Sequence, residues 1–96
     1  MYYVYILKCE DDSYYTGYSN DPQKRFEKHK TGKGAKYTRA HKPVSIEMTI
    51  PFETKSEAMQ AEYLLKQFSH IEKSAIIEIA KLFITKGFID AKLKLV

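Results

Sequence analysis

One cysteine, Cys9, is all that the 96 residues of this chain hold. A lone thiol closes no internal disulfide, so the stapled framework of many small secreted domains is excluded. That fits a reducing compartment and points to the cytoplasm. Long apolar runs are missing too. None approaches the roughly 18 residues that span a bilayer, so no membrane role is expected. No basic segment precedes an apolar one near Met1, so no signal peptide is expected either. Internal repeats and low-complexity tracts are absent. What is present suits one small domain, because 44% apolar residues support a single modest core.

The net charge of +4 is small, but its distribution is uneven. Lys24 to Lys42 holds eight Lys/Arg against one acid, Glu27, while the rest of the chain holds eight against eleven. A focused basic segment favours a polyanion, most often nucleic acid. The competing reading is a solvated basic loop. Lys24, Lys28, Lys33, Lys36, Arg39 and Lys42 are the candidate nucleic-acid contacts.

Local patterns predict the elements. Tyr2 to Lys8 is aromatic, β-branched and apolar on both faces, the mark of a central strand. Glu10 to Ser13 is a polar turn, and Ser13 to Tyr18 completes a hairpin. A short loop places Tyr5 opposite or nearly opposite Tyr15, on one sheet face. Asp21-Pro22 opens a helix by capping its free N–H groups and presetting its first φ. It runs to about Lys30 and stops near Thr31-Gly32. Phe26 is its one strong apolar residue, and Arg25 and His29, four apart, share a face. "GKGAKYTRAHKP", Gly32 to Pro43, reads as a basic loop with two glycines.

Val44 to Phe52 alternates, which predicts a strand burying Val44, Ile46, Met48, Ile50 and Phe52. Pro51 places it at an edge or ends it. Thr54 and Glu57 form a capping box for a helix with the apolar stripe Ala58, Ala61, Leu64, Leu65 and Phe68. Ser69 and Glu72 form another, for a helix burying Ile71, Ala75, Ile76, Ile79 and Phe83 and closed by Gly87. The order ββαβαα predicts an α+β domain over 1–84, with a three-stranded antiparallel sheet covered by helices. A tail, 85–96, has no assigned structure.

Phosphodiester hydrolysis needs a deprotonated water, a cation on the scissile phosphate and, usually, a metal at the leaving oxygen. Tyr5, Tyr15, Arg25, His29 and Glu62 offer groups for these tasks. A phenol of pKa about 10 becomes a plausible base only near cations or metal-bound water. Each residue also has a plainer reading. Strand tyrosines are usually structural, Arg25 and His29 read equally as solvent-facing residues, and Glu62 is spaced for a surface pair with Lys66.

Taken together, the set resembles the GIY-YIG nuclease family. Tyr3-Val4-Tyr5 stands where Gly-Ile-Tyr would, and Tyr15-Thr16-Gly17 matches the second signature more closely. The two tyrosines lie ten apart, Arg25 follows Tyr15 by ten, and "EAMQAEYLLKQ" resembles the glutamate helix with Glu62 in place. The loop "GKGAKYTR" is similar to that of small stand-alone bacterial members of an uncharacterised protein family, and to the catalytic subunit of the Slx structure-selective endonuclease. The resemblance covers roughly Tyr2 to Lys81.

The resemblance implies an endonuclease that hydrolyses DNA, structured or single-stranded, in repair or processing. It implies that Tyr5 activates the attacking water and that Tyr15 orients it or shares the role. Arg25 binds the scissile phosphate, and His29 hydrogen-bonds into the tyrosine–phosphate network. Glu62 holds one divalent cation, Mg²⁺ or Mn²⁺. A protein partner for targeting is also implied. Tyr2, Tyr3, Tyr14 and Tyr18 are expected to pack strands or touch nucleic acid at the rim.

Three departures from the family pattern stand out. Tyr3 replaces a glycine, and Tyr18 stands where some members have lysine. The asparagine that follows the glutamate in several members has no counterpart, because Asn20 is the only asparagine here. Lys66 is its candidate substitute. The alternative is therefore a nucleic-acid-binding module with the nuclease fold and weak or partner-dependent catalysis.

Overall fold

β1 (Tyr2–Cys9) is the middle strand of a three-stranded antiparallel sheet. β2 (Tyr14–Ser19) pairs along one side and β3 (Pro43–Phe52) along the other. The computed structural model describes residues 1–85, with the side chains of 83–85 left aside. Helices α1 (Pro22–Lys30), α2 (Lys36–Ala40), α3 (Lys55–Lys66) and α4 (His70–Thr85) complete the domain. The expectations for the side chain of Phe83, for Gly87 and for residues 86–96 fall outside what it describes. No helix among them is long and apolar enough to cross a membrane.

Both faces of β1 are covered, as its continuous apolar run requires: Val4, Tyr5, Ile6 and Leu7 are all buried. Tyr5 and Leu7 pack with Phe26 of α1 and Ile46 of β3, and Tyr15 closes over them. Ile6 on the other face packs with Met48 and with Ile77 and Ala80 of α4. α3 lies against all three strands, and its Ala58 has no exposed surface.

The local signals for the helix starts hold. The Asp21 carboxylate accepts from the Lys24 amide at 3.1 Å, Pro22 is the first helical residue, and Gly32 follows α1 at φ 78°. The Thr54/Glu57 capping box starts α3, and Ser69 and Glu72 exchange the same pair of bonds at α4.

One expectation sharpens and three change. The hairpin register pairs Tyr5 with Gly17 and Leu7 with Tyr15, so Tyr5 and Tyr15 are diagonal neighbours on one face. β3 does not keep one buried face. Its pairing with β1 skips Glu47 and then Val44, and each bulge inverts the alternation. Ile46 therefore faces Leu7 while Met48 faces Ile6, and Val44 is left exposed. The segment read as a basic loop contains the short helix α2. The stripes of the last two helices also differ. Leu64 of α3 is exposed, Phe68 lies beyond the end of that helix and is exposed too, and α4 buries Lys73, Ile77 and Ala80 while Ile71, Ala75 and Ile79 face outward. Apolar residues stand nearly all round α4, so periodicity alone does not choose its inner face. The aliphatic stem of Lys73 supplies part of the apolar surface.

Candidate active site

The sheet brings Tyr5 and Tyr15 to one mouth, and two helices bring the rest. Arg25 reaches it from α1 and Glu62 from α3. These four line one cleft of about 420 Å³ with Tyr2, Gly17, Tyr18, Ser19, Asn20 and Lys55. The two phenol rings lie 6.4 Å apart, centre to centre. Gly17 is what lets them meet. A Cβ there would stand 2.5 Å from the Tyr5 hydroxyl, closer than side-chain atoms tolerate.

His29 does not line the cleft. It lies behind Tyr5, fully buried, with Nε2 2.9 Å from the Tyr5 hydroxyl. Its ring centre is 5.0 Å from that of Tyr15. Its Nδ1 lies 2.7 Å from Thr38 Oγ1, and Thr38 donates to the Ala35 carbonyl at 2.9 Å. Gly34 leaves the room this requires, since a Cβ there would fall 2.1 Å from Nδ1.

The electrostatics follow from burial first. Burial pushes the Tyr5 phenol far above its ordinary range, and Tyr15 adds to that while Arg25 opposes it. Burial also raises Tyr15, with Glu62 adding and Arg25 opposing. Burial holds the His29 imidazole down to about 4, helped by the positive charge of Arg25. At neutral pH both phenols keep their protons and His29 is uncharged.

Glu62 carries a second contact: its Oε1 lies 3.5 Å from Lys66 Nζ, the helix pair its spacing predicts. Lys24 and Lys28 line an adjoining groove with Ser19, Asn20, Asp21 and Arg25. Lys33, Lys36, Arg39 and Lys42 are exposed but line neither the cleft nor that groove. An aromatic ladder leads from the cleft toward them. Tyr15 stacks on Tyr37 at 6.0 Å, and Tyr37 on His41 at 4.1 Å. Asp11 accepts a hydrogen bond from His41 across the hairpin turn.

Of the other tyrosines, Tyr2 and Tyr18 form the rim of the cleft, while Tyr14 stacks on His70. Several neighbours escaped the sequence reading. Lys55 sits at the start of α3 and gives no local sign of facing the cleft. Thr38 and Gly34 lie in the presumed loop, where the glycines of "GKGA" were the one available hint. Asn20, which has no place at the family's asparagine position, does line the cleft.

Residues 1–73 match the GIY-YIG catalytic domain. A UPF0213 protein of Halobacterium salinarum is 49% identical over 79% of this chain and 99% of its own. One from Bacillus velezensis is 54% identical over 80% of this chain and 78% of its own. The solution NMR structure of a UPF0213 protein from Bacillus halodurans shares 46% identity and covers 82% of this chain and 85% of its own, with a TM-score of 0.53. That of a protein from E. faecalis shares 37% identity over 84% and 86%, with a TM-score of 0.57. The matched span takes in Tyr5, Tyr15, Arg25, His29 and Glu62, and with these relatives it establishes that the chain belongs to the GIY-YIG family.

Proposed function

We propose that the chain is a metal-dependent endonuclease that hydrolyses phosphodiester bonds in DNA. The observation that carries this reading is the convergence of Tyr5, Tyr15, Arg25 and Glu62, from four different elements, on one cleft. The cleft adjoins a groove lined by Lys24 and Lys28. Arg25 pairs with the scissile phosphate and offsets the charge that develops on it. Tyr5 takes the proton of the attacking water, and Tyr15 orients that water.

Glu62 fits a Mg²⁺ or Mn²⁺ ion. No cluster of three His, Cys, Asp or Glu side chains is found among the described residues. A lone carboxylate completed by water and phosphate oxygens suits a hard cation that keeps much of its hydration. When bound, the ion supplies positive charge to the leaving oxygen. The ladder Tyr15–Tyr37–His41 favours substrates with unpaired bases, because aromatic faces stack on bases of any sequence.

One observation favours the second reading, a binding module with weak or partner-dependent catalysis. Lys66 Nζ pairs with Glu62 Oε1 at 3.5 Å, and that competes with a cation for the same oxygen. A single experiment separates the two. Labelled branched, single-stranded and duplex DNA are incubated with the protein and Mg²⁺ or Mn²⁺, beside Arg25→Ala and Glu62→Ala. Metal-dependent cleavage lost in both variants supports the endonuclease. Binding without cleavage, unchanged in Glu62→Ala, supports the module. Cleavage that appears only with a co-purified protein assigns the activity to a complex.

A further inference from the structure

Thr38 sits 2% exposed on α2, two bonds away from the candidate base. Three contacts surround His29 Nδ1 and this hydroxyl. Thr38 Oγ1 is 2.7 Å from Nδ1, Thr38 Oγ1 is 2.9 Å from the Ala35 carbonyl, and the Ala35 amide is 3.3 Å from Nδ1. The hydroxyl has one proton, and a neutral imidazole has one. The carbonyl has none, so the 2.9 Å contact holds a proton only when Thr38 donates to it. Threonine bonds the carbonyl three residues back in this way along helices. The Thr38 oxygen then faces Nδ1 with a lone pair, and the 2.7 Å contact holds a proton only when Nδ1 carries it.

Each other arrangement leaves a short contact bare. Were Nδ1 to accept from the Ala35 amide while Thr38 bonds the carbonyl, two lone pairs would meet at 2.7 Å. Were Thr38 to donate to Nδ1, two oxygens would meet at 2.9 Å with no proton between them. The Ala35 N–H points at Nδ1 from 3.3 Å, and this longest of the three contacts is the bond that goes unmade.

We propose that Thr38 is a positioning residue that sets the tautomer of His29, leaving Nε2 bare so that Tyr5 points its proton at the imidazole and its lone pairs at the cleft. The consequence for hydrolysis rests on the endonuclease reading. Tyr5 can accept a proton from water at its lone pair while its own proton passes to Nε2. One O–H bond forms on Tyr5 and one breaks, an N–H bond forms on His29, and hydroxide is left to attack phosphorus. With the opposite tautomer, Nε2–H would occupy the Tyr5 oxygen and its proton would have no acceptor behind it. Gly34 belongs to the same device, since it keeps the imidazole seated against Thr38.

The test is imidazole ¹⁵N NMR of the full chain at pH 7.5, with His29→Gln to assign the signal. The wild type is expected to show a protonated Nδ1 and a bare Nε2. Thr38→Val keeps the shape without the hydroxyl and is expected to move the population toward protonated Nε2. Thr38→Ser keeps the wild-type signature. Cleavage kinetics are expected to follow, with kcat down about tenfold or more in Thr38→Val, KM within about twofold, and kcat recovered in Thr38→Ser. A wild type with protonated Nε2 overturns the proposal, and so does an unchanged tautomer in folded Thr38→Val. The NMR arm does not depend on cleavage. The expected tautomers in a protein that cuts no DNA would leave Thr38 assigned and remove the endonuclease reading instead.

Discussion

Tyr5 is buried in the core and lines the cleft at the same time, and that double placement sets its predicted behaviour. Tyr5→Phe keeps the ring that packs against Leu7 and Phe26 and removes only the hydroxyl. It is expected to fold normally by circular dichroism and to lose cleavage, as is Tyr15→Phe. Tyr14→Phe, whose ring stacks on His70 away from the cleft, is expected to keep cleavage. Survival of cleavage in both of the first two variants would remove the tyrosines from the chemistry.

His29 makes a second prediction at this scale. Its pKa is about 4 in the fold and about 6.5 in the unfolded chain. Between those values the unfolded chain holds a proton that the folded one lacks. Stability is therefore full above about pH 6.5 and falls as pH drops toward 4, by roughly 3 kcal/mol in total. Asp11, held at about 2 by hydrogen bonds from Ser13 and His41, acts only at lower pH. Denaturant midpoints should decline across the His29 window in the wild type and stay level in His29→Gln. Thr16 offers a gain instead. Its buried hydroxyl has no partner among the described residues, so Thr16→Val is expected to stabilise the fold by about 1 kcal/mol in urea unfolding.

At the scale of elements, α4 is the informative case. Ile77 packs on Ile6 and Met48, whereas Ile71 and Ile79 are more than half exposed. Ile77→Ala is expected to cost roughly 2–5 kcal/mol. Ile71→Glu should change stability by about 0.5 kcal/mol or less. Equal effects in thermal unfolding would mean that α4 presents a different face to the sheet. The start of this helix was legible in Ser69 and Glu72, because a cap is made within three residues. Its inner face was not legible, because isoleucine and alanine recur on several sides and the sheet chooses among them. β3 shows the same limit. Its alternation was visible, but the bulges at Glu47 and Val44 that turn Ile46 toward Leu7 come from pairing with β1.

Across the whole molecule, the basic segment meets the cleft at Arg25 and otherwise runs beside it. Lys24 and Lys28 line the adjoining groove with Arg25, while Lys36 and Arg39 lie exposed on α2. If DNA runs along both, the logarithm of its affinity should fall linearly with the logarithm of salt concentration. Lys36→Ala with Arg39→Ala should reduce that slope by roughly two. A slope unchanged in the double variant, measured by fluorescence anisotropy, would exclude α2 from the contact.

The sequence by itself determined every element but α2, and it singled out the side chains proposed for the chemistry. Caps, alternation and the spacing of Tyr5, Tyr15, Arg25, His29 and Glu62 are local facts, set by a few neighbouring residues. Tertiary structure decided how those side chains meet. The hairpin register placed Tyr15 diagonal to Tyr5, and the packing of α1 against the sheet put His29 behind Tyr5 and out of the cleft. The fold of the Gly34–Thr38 segment then seated the Thr38 hydroxyl against His29. Such partners lie on separate elements, and only packing brings them within a few ångströms of one another.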